Sequence, residues 1–319
     1  TIIGTPPNLI FIQMMELLFP AAPTVTFAEW ILLGLPIAIL ILISAWVIVC
    51  KIAFKQATHF DMNKDLIHDE YQKLGKMSFE EKTVLAVFAT TALLWVTRSD
   101  IQIGDLHLYG WANLFPKSDF ITDGSVAVMM ATVLFFIPSH DSKDERILDH
   151  AVFSQIPWDI ILFFGGGFAL AKGIVDSGLS AYIASSFQSM AQISGFSMII
   201  SIASLVTFMT ELTSNVATTQ MLLPILAALA KAMQINPILL MITATISASM
   251  AFMMPVATAP NAIIFGSKQI HVIDMVKAGF LINLTGIVII SLIVYFLAAI
   301  VFDFPLDQFP DWATGMGAP

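Results

Sequence analysis

Small polar residues crowd into one stretch of this sequence, and the residues on both sides of it are apolar. The stretch Phe208–Pro224 contains Glu211 and six small polar residues: Thr210, Thr213, Ser214, Asn215, Thr218 and Thr219. Their oxygens suit a hard cation, and amide and hydroxyl donors suit an anion. Lipid cannot satisfy such groups, so polar backbone at membrane depth must be buried in protein or line a cavity. We therefore predict a hairpin of two half-helices with a polar, functional tip; packing of Ser and Thr between helices is the simpler alternative.

A second pattern occurs twice, at opposite ends of the chain. Gly4-Thr5-Pro6-Pro7-Asn8 is echoed by Ala257-Thr258-Ala259-Pro260-Asn261, and each is followed by an apolar run. Proline interrupts a helix or begins one, so each copy predicts a half-helix that starts at a break. Paired broken helices in corresponding positions are typical of inverted repeats with a binding site at the midplane.

The composition places these motifs in a membrane protein. The chain has 319 residues, of which 57% are hydrophobic and 12% are charged, whereas about a quarter of a soluble domain is charged. The predicted class is an all-α polytopic membrane protein. The net charge of −9 argues against nucleic-acid binding, and the single Cys50 excludes an internal disulfide. The chain begins without Met in mid-apolar sequence, so we expect it to be the C-terminal portion of a longer membrane protein.

Several elements are needed to position the two motifs. Spans are predicted by apolar length over Phe27–Val49, Glu80–Thr97, Phe120–Pro138, Trp158–Val175 and Ala278–Phe302. The polar-tipped hairpin is expected at about 196–234 and a broken helix at about 237–270, interrupted at 254–261. Short amphipathic helices are expected around Asp61–Lys76 and Leu179–Ile193. The glycines at 165–167 suit close helix packing.

Basic residues predict the orientation of these spans. Lys51–Lys82 holds six of them, and Ser139–Pro157 and Lys268–Lys277 hold two each, which makes ten of fourteen. Because positive charge favours the inner side, these three segments are assigned to the inside. The hairpin then enters from the outside, and the two half-helices that follow the echoed motif lead in opposite directions.

Together these motifs resemble the divalent anion/sodium symporter family. The resemblance lies in TSNVAT at 213–218, GTPPN at 4–8 and PVATAPN at 255–261, and the order of the elements matches over essentially the whole chain. It implies an inverted-repeat fold with broken helices and a re-entrant hairpin, working as a homodimer by an elevator motion. It also implies Na⁺-coupled symport of di- or tricarboxylates across the plasma (inner) membrane, with sulfate symport or proton coupling as the alternatives.

The resemblance also implies which residues bind sodium and substrate. Its implied second Na⁺ site uses backbone oxygens of Thr210, Thr213 and Ala257 and the side chain of Asn215, while Gly4 belongs to the first Na⁺ site. The implied substrate residues come from both motifs: Ser214, Asn215, Val216, Thr258 and Thr5. Two positions depart from the family pattern, since Val216 stands for Thr and Ala259 for Pro.

The sequence alone leaves the role of Glu211 open. It also leaves two other function classes to consider, a channel and an enzyme. Glu211 is either a proton carrier or a structural, hydrogen-bonded carboxylate. A channel would need ligands along a path, whereas this chain clusters them at one site. An enzyme would need a paired base and nucleophile, and only Glu211 is near Ser214 in sequence. We therefore expect a transporter in the lipid bilayer, with a small anion and sodium as its partners, and no enzyme activity.

Overall fold

The computed structural model describes residues 1–54, 64–103, 106–140, 146–156, 158–180, 182, 195–302 and 309–314. These residues are mostly helical, which confirms the predicted all-α class of membrane protein. A two-stranded antiparallel hairpin, β1 (Ile101–Ile103) with β2 (Leu106–Leu108), is the only sheet among them. It lies in the polar segment that follows the predicted span Glu80–Thr97.

The α-helices among the described residues are, in chain order, α1 (Pro6–Leu18), α2 (Phe27–Val47), α3 (Lys64–Lys73), α4 (Phe79–Val96), α5 (Asp123–Leu134), α6 (Val152–Gln155), α7 (Trp158–Asp176), α8 (Gly195–Thr210), α9 (Asn215–Met233), α10 (Pro237–Ser247), α11 (Ala259–Gly266) and α12 (Val272–Val301). A π-helix, Ile48–Ala53, continues α2. Short 3₁₀ turns lie at Ile2–Gly4, Trp111–Leu114, Ser118–Phe120 and Asp311–Ala313.

The chain divides into two compact units. The first comprises Thr1–Val25, Glu29–Ala57 and Asp159–Pro319, and the second comprises Thr26–Ala28 and Thr58–Trp158. In the second unit α4 packs against α5, and the Arg98 Nε lies 2.6 Å from the Asp123 Oδ1. The Trp95 indole also donates to the Asp123 carbonyl oxygen at 2.9 Å. These contacts fix the end of α4 to the start of α5.

Helix α10 is the centre of the first unit. It packs against α1, α8, α9 and α12, and all of its residues except Ile246 are buried. A helix that is apolar on every side is expected to be surrounded by others. Its Thr243 and Thr245 hydroxyls donate to the carbonyl oxygens four residues earlier, which satisfies them inside the helix. Both helices of the hairpin, α8 and α9, are therefore held against one buried helix.

Three helices among the described residues are long and apolar enough to cross a membrane: Phe27–Ala53, Asn215–Met233 and Val272–Val301. The other predicted spans, Glu80–Thr97, Phe120–Pro138 and Trp158–Val175, coincide with α4, α5 and α7. Of these three helices, α4 and α5 do not meet the same criterion of length and composition. The first turn of α4 carries Glu80, Glu81 and Lys82, and α5 has only 12 residues.

The structure moves several predicted boundaries. The interruption of the broken helix covers 248–258, because α10 already ends at Ser247 and α11 starts at Ala259. Pro260 is tolerated in the first turn of α11, where an N–H has no partner within the helix, so that helix starts before the proline. Helix α12 starts at Val272, within the segment Lys268–Lys277 and before the predicted start of the last span at Ala278. Most of Leu179–Ile193 lies outside the described residues, as do 61–63 of the amphipathic helix at Asp61–Lys76.

Only one of the three consecutive glycines serves close packing among the described residues. A Cβ on Gly167 would lie 2.1 Å from the Gln220 side chain of α9, whereas Gly165 and Gly166 have no such neighbour within 4 Å. Gln220 is buried, and its Nε2 donates to the Phe164 carbonyl oxygen at 3.5 Å. Because Gly167 has no side chain, α7 can lie directly against the buried Gln220 side chain of α9.

Candidate functional site

The polar stretch forms the turn between helices α8 and α9, which together we call the hairpin. Helix α8 ends at Thr210 and α9 begins at Asn215, so the hairpin tip is Glu211–Ser214. Ser214 is the N-cap of α9 in extended conformation, and its side chain makes no capping hydrogen bond. The Thr213 hydroxyl donates to the Met209 carbonyl oxygen at 2.9 Å and lies 2.6 Å from the Thr218 hydroxyl. These bonds close the turn and leave Ser214 exposed.

Oxygen atoms gather at Thr210, directly before the hairpin tip. The fully buried Thr210 hydroxyl lies 2.5 Å from the Asn215 Oδ1 and 2.8 Å from the carbonyl oxygen of Ala248. A hydroxyl has one proton, so it can donate to only one of these two acceptors at a time. The main-chain carbonyl oxygen of Asn215 accepts from the Thr219 hydroxyl at 2.7 Å. This surplus of oxygen acceptors suits a hard cation.

The segment between α10 and α11, which we call the break (Ala248–Thr258), lies against the hairpin tip. Thr258 is the extended N-cap of α11 and makes no side-chain capping bond. The Asn261 side chain donates from Nδ2 to the carbonyl oxygens of Ala251 at 2.8 Å and of Met254 at 3.0 Å. The first turn of α11 thus satisfies two carbonyl oxygens of the break, a segment that lies outside the helices.

The echoed motif has matching backbone geometry at both of its copies. Asn8 Nδ2 donates to the Thr1 carbonyl oxygen, and Asn261 Nδ2 donates to that of Met254, in each case seven residues back. The amides of Gly4 and Ala257 donate to the same two carbonyl oxygens, at 3.0 and 3.2 Å. Thr5 and Thr258 are both extended N-caps without side-chain bonds. The two sequence motifs therefore build the same local turn.

The Glu211 carboxylate joins the hairpin tip to the break. Glu211 is 4% exposed, and its two oxygens accept from the backbone amides of Phe252, Met253 and Met254 at 2.8–3.1 Å. Asn283 Nδ2 of α12 donates to the same carboxylate at 2.7 Å. These four donors are neutral groups, and together they occupy both carboxylate oxygens. The arrangement is that of a structural carboxylate, one of the two hypotheses for Glu211.

A cavity of about 340 Å³ opens between the hairpin tip and the break. Four lining residues come from each side: Glu211, Leu212, Thr213, Ser214, Val256, Ala257, Thr258 and Ala259. This set contains no Lys or Arg. The lining includes both N-cap residues, Ser214 and Thr258, so the N-termini of α9 and α11 border the cavity. Helix N-termini carry partial positive charge and free N–H groups, which favour an anion.

The structure brings most of the expected site residues together. Thr213, Ser214, Ala257 and Thr258 line the cavity. Thr210 and Asn215 lie directly behind it in mutual contact. Val216 is half-buried in the first turn of α9 and is not among the lining residues. Gly4 and Thr5 belong to the first copy of the motif and also lie outside this lining.

Two residues of α12 were missed by the sequence analysis. Asn283 is fully buried and contacts Glu211, and Gly279, one turn earlier, faces the backbone of Phe252. Their signal in the sequence was a single amide within an apolar helix, with glycines four residues before it and three after it. Polar residues within apolar spans are costly, so such a residue deserves a stated partner.

Comparison with known proteins identifies the family of this chain. The family described as the sodium:sulfate symporter transmembrane region matches residues 1–302. The chain belongs to this family.

Two similar proteins are named sodium-dependent dicarboxylate transporter SdcS. The protein from Staphylococcus saprophyticus is 38% identical over 314 residues, which cover 97% of this chain and 57% of that protein. The protein from Staphylococcus aureus strain MRSA252 is 38% identical over 310 residues, with the same two coverages. The chain therefore spans somewhat more than half the length of these relatives.

The asparagines of the two copies offer a matched test of the break. We expect Asn261→Ala to lower the free energy of unfolding by about 1–3 kcal/mol, because two carbonyl oxygens lose a donor. Asn8→Ala removes one described bond and should cost less, about 1 kcal/mol. The measurement is the thermal unfolding of the detergent-purified intact protein. Wild-type stability in Asn261→Ala would contradict the structural role assigned to this side chain.

Proposed function

We propose that this chain forms the substrate-binding part of a sodium-coupled secondary transporter for di- or tricarboxylates. The observation that carries this proposal is the cavity between the hairpin tip and the break. Oxygen acceptors adjoin it at Thr210 and Asn215, and two helix N-termini border it. The names of the two SdcS relatives, which are 38% identical to the chain, support sodium and a dicarboxylate as the pair transported.

The proposed cation site takes oxygens from both sides of the cavity. Backbone oxygens of Thr210, Thr213 and Ala257 and the side chain of Asn215 would hold Na⁺. The contact of the Thr210 hydroxyl with both Asn215 Oδ1 and the Ala248 carbonyl oxygen supports this assignment, because it places an oxygen-rich corner where the tip meets the break. Gly4 would contribute to a second cation site at the first copy of the motif, which has the same local turn.

The proposed anion site uses neutral donors. The side chains of Ser214, Asn215 and Thr258, with the backbone amides at the two helix N-termini, including that of Val216, would hold one carboxylate. Thr5 would act from the first copy of the motif. The eight described lining residues include no Lys or Arg, so the bound cation would supply the positive charge that the anion requires. This dependence of one ligand on the other is the physical basis of coupling in the proposal.

Two narrower alternatives remain within the same class. The family description names sulfate, so sodium-coupled sulfate symport is the first. Proton coupling through Glu211 is the second; the bonds from three backbone amides and Asn283 to its oxygens support a structural role for Glu211 instead. We further propose inverted repeats, an elevator motion of a homodimer and a location in the plasma (inner) membrane. The protein would act as a transporter and not as an enzyme.

Asn215 tests the proposed function most directly. We expect Asn215→Ala to weaken both Na⁺ and substrate binding by roughly tenfold or more, because its amide serves both ligands and an unpaired buried group costs about 1–3 kcal/mol. The measurement is the dependence of labelled succinate uptake on Na⁺ and on succinate in vesicles that contain the intact protein. Unchanged sodium dependence would count against a ligand role.

Val216 tests the identity of the substrate. The Val side chain cannot donate a hydrogen bond, whereas a Thr hydroxyl at this position could bond a carboxylate. We therefore expect Val216→Thr to alter the ranking of dicarboxylates more than it alters Na⁺ dependence, since the proposed cation ligands are mainly backbone oxygens. The measurement is competition of labelled succinate uptake by citrate and by sulfate. Sulfate competing better than any carboxylate in the wild-type protein would refute the carboxylate assignment.

A further inference from the structure

Helix α12 presents a face of small and polar residues toward the break. Gly279, Asn283 and Gly286 follow at helical spacings of four and three residues, so they lie on the same face. All three are buried, in a helix that is otherwise apolar enough to cross a membrane. None of them lines the cavity. Their contacts with the break therefore need an explanation other than direct binding of a ligand.

Gly279 brings the backbone of α12 against the backbone of the break. A Cβ at this position would lie 2.4 Å from the Phe252 carbonyl oxygen and 2.7 Å from the Met253 nitrogen. Both of these atoms belong to the main chain, which cannot move aside as a flexible side chain can. At Gly286, by contrast, the nearest atom is the end of the Met250 side chain. Gly279 thus sets how closely α12 and the break can approach.

Asn283 extends this contact to the hairpin tip. Its Nδ2 donates at 2.7 Å to Glu211 Oε1, which also accepts from the amides of Phe252 and Met253. Successive backbone amides that converge on one acceptor group form a compact binding site for it. We call this arrangement of Glu211, Asn283 and the amides of residues 252–254 the carboxylate clasp.

The carboxylate clasp connects directly to the proposed cation ligands. Glu211 follows Thr210, whose hydroxyl contacts Asn215 and Ala248. On the other side, the Met254 amide donates to Glu211 at 3.0 Å, and the Met254 carbonyl oxygen accepts from the Ala257 amide at 3.2 Å. Only Pro255 and Val256 lie between Met254 of the clasp and Ala257. A shift of the clasp would move Ala257 relative to Thr210 and Asn215.

We propose that Asn283 and Gly279 are positioning residues for the cation site, acting through the carboxylate clasp on the separation between the hairpin tip and the break. This inference rests on the proposed function, because it takes Thr210, Asn215 and Ala257 as the cation ligands. Oxygens supplied by two separate elements bind an ion well only when the elements are held at the correct distance. Neither positioning residue touches the ligand itself, so their effect should fall on Na⁺ affinity and not on the maximal rate.

The test is a Na⁺ titration of labelled succinate uptake by the intact protein in vesicles. Asn283→Leu conserves size but removes the donor, and Gly279→Ala pushes the break away from α12. We expect both to raise the half-saturating Na⁺ concentration about tenfold, while uptake at saturating Na⁺ stays within about twofold of wild type. A merely structural defect would lower the amount of active protein and the maximal rate without changing the half-saturating concentration.

Matched controls are available within the same unit. Ser291→Ala removes another fully buried polar group from α12, one without a hydrogen-bond partner among the described residues. Gly173→Ala adds a methyl group to a helical glycine of α7, at a position that faces open space among the described residues. Both should leave the half-saturating Na⁺ concentration within about twofold of wild type. A similar rise in these controls would contradict a specific role of the clasp.

A second measurement keeps the test decisive if Asn283→Leu does not fold. Asn283→Ser keeps a hydroxyl donor and should raise the half-saturating concentration by only a few fold. Na⁺ stabilises the folded protein in detergent by binding to it, so the rise in melting temperature with Na⁺ reports affinity without transport. This rise should need about tenfold more Na⁺ in Gly279→Ala than in Gly173→Ala.

The outcomes separate this inference from the proposed function. If wild type responds to Na⁺ and Asn215→Ala weakens that response, but Asn283→Leu and Gly279→Ala do not, the positioning role is overturned and the proposed function stands. If wild-type uptake and stability are indifferent to Na⁺, both are overturned. A rise in the half-saturating concentration for the α12 variants, with normal maximal uptake, supports the inference.

Discussion

The arrangement of the site depends on one buried carboxyl side chain. A polar group removed from water is costly unless it is hydrogen-bonded. Glu211 receives its bonds from three successive amides and Asn283, all of them neutral donors. Amides that point at a carboxylate cannot also continue a helix, so the end of α10 at Ser247 and the irregular path of the break are consistent with this interaction. The same bonds hold the hairpin tip against the break.

The consequence is a cavity in which opposite partial charges lie close together. The Glu211 carboxylate and the oxygens around Thr210 favour a cation on one side. The N-termini of α9 and α11 favour an anion on the other. Among the described lining residues, the cation would have one acidic side chain, Glu211. The anion would have no Lys or Arg. A cation and an anion bound together would neutralise each other, and this mutual dependence is what a symporter requires.

Local signals in the sequence predicted the parts of this site that depend on local structure. Proline favours the first turn of a helix and small polar residues favour turns and helix ends, so the hairpin tip and the start of α11 could be located. Polar residues among apolar ones identified the hairpin tip. The repeated motif correctly indicated two similar turns, and the bonds made by Asn8 and Asn261 explain why both copies end in Asn.

The contacts that join these parts could not be predicted in the same way. Glu211 meets the break 41–43 residues later and Asn283 72 residues later, so its role depends on tertiary packing. The sequence alone left Glu211 as either a proton carrier or a structural group for this reason. The break starts at Ala248 with no proline or glycine beside it, and Thr210 and Glu211 bond to this segment from the hairpin. Gly279 is informative only once the backbone of Phe252 is known to lie against it.

The central claim is that sodium bound between the hairpin tip and the break drives uptake of an anion. Its most direct test compares two imposed gradients in vesicles that contain the intact protein and labelled succinate. An inward Na⁺ gradient should drive accumulation, and a pH gradient without Na⁺ should not. Accumulation that persists without Na⁺ and follows the pH gradient would contradict the account, because the carrier would then be a proton and not the cation assigned to this site.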